Sequence, residues 1–126
     1  MPANSALDFD AVFNRLRAVL ARHAPDMVVV HDTPGNYYLD TPINGPNKKP
    51  LFFGAVQIKK NYVSYHLMPV YMYPDLLDGL SNNLKKRMQG KSCFNFKNVD
   101  EPLLAELSTL TEQAYDRLAR EHLSGR

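Results

Sequence analysis

Two apolar segments separated by three polar residues limit the fold more than any other feature of this chain. Leu51-Phe52-Phe53-Gly54-Ala55-Val56-Gln57-Ile58 is followed by Lys59-Lys60-Asn61 and then by Tyr62-Val63-Ser64-Tyr65-His66-Leu67-Met68. Aromatic and β-branched residues at this density suit a pleated, half-buried surface. Asn61 tolerates the positive φ that a tight tip asks for. The pattern predicts a β-hairpin at the centre of a sheet. In its second strand Val63, Tyr65 and Leu67 share one face, and Tyr62, Ser64, His66 and Met68 share the other.

A hairpin with an apolar face must be covered, and two helical patterns are available to cover it. Phe9, Val12, Phe13, Leu16, Val19 and Leu20 recur at three- and four-residue spacing, which predicts a helix over 6–23. Ser5 with Asp8 resembles a capping box, and Pro25 stops the helix. Leu103, Leu107, Leu110, Ala114 and Leu118 form a second stripe, with Leu104, Thr111 and Tyr115 beside it. Asp100 is a suitable cap there, and Pro102 falls in the first turn, where a missing N–H costs little.

The remaining segments are shorter. Met27–His31 is a β-branched run, Asp32–Asn36 is rich in turn formers, and Tyr37-Tyr38-Leu39 reads as a returning strand. Residues 40–50 carry three prolines and are expected to be a loop. Between Pro69 and Pro74 neither a continuous strand nor a helix is expected. Asp75–Leu80 predicts one helical turn closed by Gly79, and Ser81 predicts a cap for a short helix over 82–88. Gln89-Gly90-Lys91 reads as a turn, and Ser92–Lys97 as the last strand, with Phe94 and Phe96 on one face. The fold class is therefore α+β. It is a single domain over 1–126, with a mostly antiparallel sheet of about five strands. The N- and C-terminal helices lie on one face, with short helices between the last strands.

Composition excludes much else. Apolar residues at 44% and charged residues at 22% are ordinary for a globular domain and argue against disorder. A single cysteine, Cys93, excludes an internal disulfide. The apolar runs are too short for a membrane helix, and the first residues do not read as a secretory signal, so a cytoplasmic location is expected. Charge is unevenly placed. Residues 48–97 hold nine Lys/Arg and two Asp, while the segments on either side are net acidic. A solvated helix face or a lysine-guarded sheet edge accounts for this, and so does a face that attracts an anion.

Few chemical motifs survive inspection. Gly90-Lys91-Ser92 is not a phosphate loop, because Lys85 stands where the first glycine is needed and the segment leaves a helix to open a strand. His23, His31, His66 and His122 lack ligand spacing, so neither a metal nor a cofactor is expected. Cys93 and His66 both lie on strands and could face each other, which would make a nucleophile–base pair. The alternative is a small strand cysteine and a hydrogen-bonded histidine. Six of the seven tyrosines fall between 37 and 73. They suit either strand packing or a pocket lined by Tyr62 or Tyr65, His66, Tyr71 and Tyr73, with Lys59, Lys91 or Lys97 at its rim. Aromatic residues among lysines also suit nucleic acid, but a net charge of +2 argues against it.

The stretch KKPLFFGAVQIKKNYVSYHLMP, then PDLLDGLSNNLKKRMQGKSCFNFK, then a leucine-spaced helix, resembles the YdhG-like family, a domain of unknown function. The likeness covers about 50–120 and rests on the hairpin, the short helices and the last strand. It implies a compact α+β fold similar to that of frataxin. It also brings in an iron-chaperone role proposed for one branch, which here would gather Asp8, Asp10, Asp100, Glu101 and Glu106. The leading expectation is a non-catalytic binding module. Its candidate ligand residues are Tyr62, Tyr65, His66, Tyr71, Tyr73, Lys59, Lys91, Cys93 and Lys97, for a small anionic ligand or an acidic protein partner. An iron chaperone is the second reading, and an enzyme using Cys93 with His66 is the third.

Overall fold

A computed structural model describes residues 8–45 and 48–123, with the backbone alone for His122 and Leu123. Helix α1 spans Phe9–Ala21 and buries Val12, Phe13, Leu16 and Leu20, the expected stripe. Its cap is Asp8, whose Oδ1 accepts from the Ala11 N–H at 3.0 Å; the expected contribution of Ser5 lies outside the described residues. A 3-10 turn, Ala24–Asp26, carries Pro25 and leads to strand β1, Val28–Thr33.

Thr33-Pro34-Gly35-Asn36 turns the chain into β2, Asn36–Asn44. Gly35 has φ +77°, which an L side chain resists, so this tight turn needs glycine. Strand β2 runs further than the prolines suggested and takes in residues 40–44 of the loop expected over 40–50. Pro42 is accommodated because the register with the next strand shifts between Asp40 and Asn44, so no ladder bond is asked of it. The buried Thr41 hydroxyl bonds the Ile43 backbone instead, at 3.1 Å.

Strands β3 (Pro50–Ile58) and β4 (Val63–Leu67) form the expected central hairpin. The chain then forms α2, Met68–Met72, with Pro69 in its first turn. The prolines were expected to forbid a helix here, but at that position proline lacks only an N–H that would have no partner anyway. A 3-10 turn, Pro74–Leu77, follows, and α3 spans Asn82–Lys85, capped by Ser81 Oγ accepting from Leu84 N. Met88–Gln89 is a two-residue strand, β5, where the end of the short helix and the start of a turn were expected, and β6 spans Cys93–Phe96. Helix α4, Glu101–Leu118, is capped by Asp100 and ends in a π turn, Ala119–Leu123.

The sheet has six strands rather than five, all antiparallel, in the order β1-β2-β3-β4-β6-β5. Helices α1 and α4 cover one face. Tyr37, Leu39, Val56, Val63, Tyr65, Leu67, Phe94 and Phe96 point into that layer and join the helix stripes in a single core. Arg15 and Glu101 form a two-pronged ion pair, with the longer bond 2.7 Å, and Arg22 donates to Ser108 at 3.1 Å. These contacts fasten α1 to α4. At the outer edge Val28, Val29 and Val30 are 43–49% exposed. The β-branched run thus makes an edge strand without entering the core.

Candidate functional site

The opposite face of the sheet is built from the alternate residues of the same strands. Across β2, β3, β4, β6 and β5, Tyr38 stands opposite Ala55, Ala55 opposite His66, His66 opposite Cys93 and Cys93 opposite Gln89. A parallel row joins Asn36, Gln57, Ser64 and Asn95. Rings meet along the first row. His31 lies 5.7 Å from Tyr38, Tyr38 lies 4.7 Å from Phe52, and Phe52 lies 4.8 Å from His66. Tyr38, Phe52, His66 and Cys93 are half-buried, sheltered by one another.

Cys93 and His66 do face each other, the arrangement an enzyme reading needs. Their surroundings work against it. Burial pushes the Cys93 thiol up, against weaker opposing effects from the Ser64 and Ser92 hydroxyls and the Lys59 charge. Burial pushes the His66 imidazole down. Both shifts favour the uncharged forms, so the pair is held as thiol and neutral imidazole rather than thiolate and imidazolium.

The nine residues expected to line one pocket are distributed over several places. Tyr65 belongs to the core and is 0% exposed. Its ring lies on the helix side, as its alternation with Val63 and Leu67 requires, so it lines no site. Tyr73 lies beneath the Arg117 guanidinium, 4.4 Å from ring centre to carbon, at the C-terminal end of α4. His66 and Cys93 form the middle of the uncovered face, and exposed Lys59 stands at the tip of the central hairpin.

Two hollows take the remaining four. Tyr62 and Lys97 line the first, about 280 Å³, together with Lys86, Arg87, Met88, Gln89 and Asn95. It opens at the β4–β6–β5 end of the uncovered face. Tyr71 and Lys91 line the second, about 410 Å³, with Val70, Pro74, Leu77, Met88 and Gly90. Its walls are apolar, and Tyr71 is 56% exposed at its mouth.

The first hollow is strongly cationic. Lys86, Arg87 and Lys97 contribute three positive charges, and among the described residues no carboxylate lines it. Among the described residues none of the three makes a side-chain hydrogen bond or ion pair. Three arginines elsewhere pair with carboxylates, Arg15 with Glu101, Arg17 with Asp32 and Arg117 with Asp75. Sequence reading placed Lys97 at the rim of a pocket and Lys86 and Arg87 within the basic stretch 48–97. It missed Met88 and Gln89, because a two-residue strand leaves no periodic signal, and Asn95, although its alternation with Phe94 and Phe96 could have placed it on the opposite face. It also missed Tyr38 and Phe52, although the alternation of Tyr38 with the inward Tyr37 and Leu39 could have placed Tyr38.

Four of the five carboxylates of the iron reading, all but Asp10, have structural roles. Asp8 and Asp100 cap helices, Glu101 binds Arg15, and Glu106 accepts from the Ser81 backbone and hydroxyl at 2.7 and 2.6 Å. Among the described residues no three His, Cys, Asp or Glu side chains gather as a metal would need. Nor is any described helix long and apolar enough to cross a membrane. Comparison with family models, with curated proteins and with solved structures finds no match for this chain.

Proposed function

We propose that the protein is a non-catalytic, cytoplasmic binding module that takes an anionic ligand or an acidic segment of a partner at the cationic hollow. The reading keeps the YdhG-like resemblance. One observation carries it: Lys86, Arg87 and Lys97 converge on a concavity beside Tyr62 with no carboxylate in its lining and no partner for their charges among the described residues. Surface cations normally disperse or pair, and clustering them raises their mutual repulsion. An anion relieves that repulsion. Tyr62 offers a flat apolar wall, and Gln89 and Asn95 offer amide hydrogen bonds, so an acid with several oxygens is well matched. The uncharged state of Cys93 and His66 supports a binding role over nucleophilic chemistry.

The test is a thermal-shift series at low salt with citrate and pyrophosphate, repeated with Arg87→Ala/Lys97→Ala. A ligand at a hundred times its dissociation constant stabilises by about 2.7 kcal/mol, which is several degrees for a domain of this size. The wild type should shift, the double variant should not, and added salt should suppress the effect. Arg120→Ala, which alters a different hollow, serves as the control. Equal shifts in wild type and double variant would reject this site. A shift with ferrous iron alone would favour the iron reading.

A further inference from the structure

The two hollows share one residue, Met88, and lie on opposite sides of the sheet. Gln89 and Asn95, which line the cationic hollow, stand on the uncovered face. Val70 and Leu77, which line the apolar hollow, pack against the core on the helix side. Between them runs β5, the last strand in the sheet order, with no strand beyond it among the described residues. The Arg87 carbonyl accepts from Asn95 N at 2.8 Å and therefore faces inward. In an antiparallel ladder successive residues alternate, so Met88 turns its N–H and C=O outward.

A sheet edge flanked above and below by unlike hollows suits an extended chain. A strand laid along β5 sends successive side chains to opposite faces. One set would enter the cationic hollow and the other the apolar one. Building on the anion reading, we propose that the partner is a peptide segment of alternating acidic and apolar residues that adds to the sheet as a seventh strand beside β5. Its acidic side chains meet Lys86, Arg87 and Lys97. Its apolar side chains fill the space bounded by Val70, Tyr71, Pro74 and Leu77. Main-chain bonds to the edge supply part of the affinity, and the two hollows supply the selection. Charge complementarity on one face and apolar walls on the other exclude a uniformly acidic chain as the best occupant.

The test uses a blocked, fluorescently labelled hexapeptide of alternating glutamate and leucine, with a block-ordered peptide of the same composition as comparison. Anisotropy at low salt should show the alternating peptide binding at least about tenfold tighter. Arg87→Ala/Lys97→Ala and Tyr71→Ala should each weaken it. Two further peptides carry N-methyl groups, one on the glutamate amides and the other on the leucine amides. An added strand donates to β5 from only one of these sets, so one peptide should lose binding and the other keep it. Equal binding of alternating and block peptides, both lost in Arg87→Ala/Lys97→Ala, would overturn the added strand and leave the anion site standing. Indifference to methylation, or equal loss in both phases, would also overturn it. Failure of both peptides while citrate still shifts the melting temperature rejects only this inference. Failure of citrate as well rejects the anion site too.

Discussion

The Tyr65 hydroxyl lies 2.6 Å from Thr111 Oγ1 inside the core, joining the central strand β4 to the middle of α4. Thr111 Oγ1 also donates to the Leu107 carbonyl at 2.8 Å. A threonine hydroxyl has one proton, so Tyr65 is the donor and Thr111 the acceptor. Burial pushes the Tyr65 phenol well above its usual range. The tyrosine that sequence reading offered to a ligand is thus committed to the core.

The two ends of that bond should differ in cost. Thr111→Val leaves the Tyr65 O–H buried without an acceptor, at about 1–3 kcal/mol. Tyr65→Phe removes the donor but leaves the Thr111 proton satisfied by Leu107, so the loss should be nearer 1 kcal/mol. Urea unfolding of both variants and of the double variant checks this. The double variant should be less destabilised than the sum of the single changes. An additive result would mean that the hydroxyls are not coupled.

Gly54 lies where α1 packs closely on the sheet. A Cβ there would stand 3.0 Å from the His66 carbonyl oxygen and 3.0 Å from Leu20 Cδ1. The oxygen belongs to the β4 backbone and Leu20 is fully buried, so neither yields readily. Gly54→Ala should destabilise by about 1–3 kcal/mol, the usual cost of overpacking. Stability equal to or above wild type would show that α1 can move outward freely.

Two histidines should make stability depend on pH. His66 and His23 both have pKa values lowered, chiefly by burial. His23 stacks on Tyr115 at 5.1 Å. A lowered folded value means that the unfolded chain binds more protons, so stability rises with pH. Each contribution is present above the ordinary value of 6.5 and is lost as pH falls through the folded value. Asp40 has the opposite sign in a lower window, since burial raises its carboxyl pKa from 3.8. Unfolding free energies measured from pH 7.5 to 5 should fall for the wild type and fall less for His66→Gln. An unchanged slope would place the effect elsewhere.

Cys93 should react slowly. Its thiol is shifted up and half-buried. Alkylation by iodoacetamide at neutral pH should lag behind a free thiol by about tenfold or more and accelerate in denaturant. Rapid reaction of the folded protein would revive the nucleophile reading.

Much of the architecture was legible from residues that act through near neighbours. The stripes of α1 and α4, the Asp100 cap, the central hairpin and the inward faces of β4 and β6 follow from spacing and alternation. Both are properties of the chain alone. Two segments read as irregular proved regular: β2 continues through Pro42 because of a register shift with β3, a tertiary reason, and α2 tolerates Pro69 because it falls in the first turn, a local one. The candidate site was less legible. Sequence predicted the lysines and the alternation of Tyr62 with Tyr65. The pairing of Met88–Gln89 with β6 decided that Lys86, Arg87 and Lys97 surround one hollow and that Tyr71 and Lys91 border another. The sequence by itself determined the central hairpin and, in the regularly paired strands β4 and β6, which side a residue occupies, because there it depends only on the pleat. Only the tertiary structure decided which other strands stand side by side and where a bulge resets the alternation, as in β3, where Phe52 and Ala55 share one face, because both depend on pairing between segments distant in the chain.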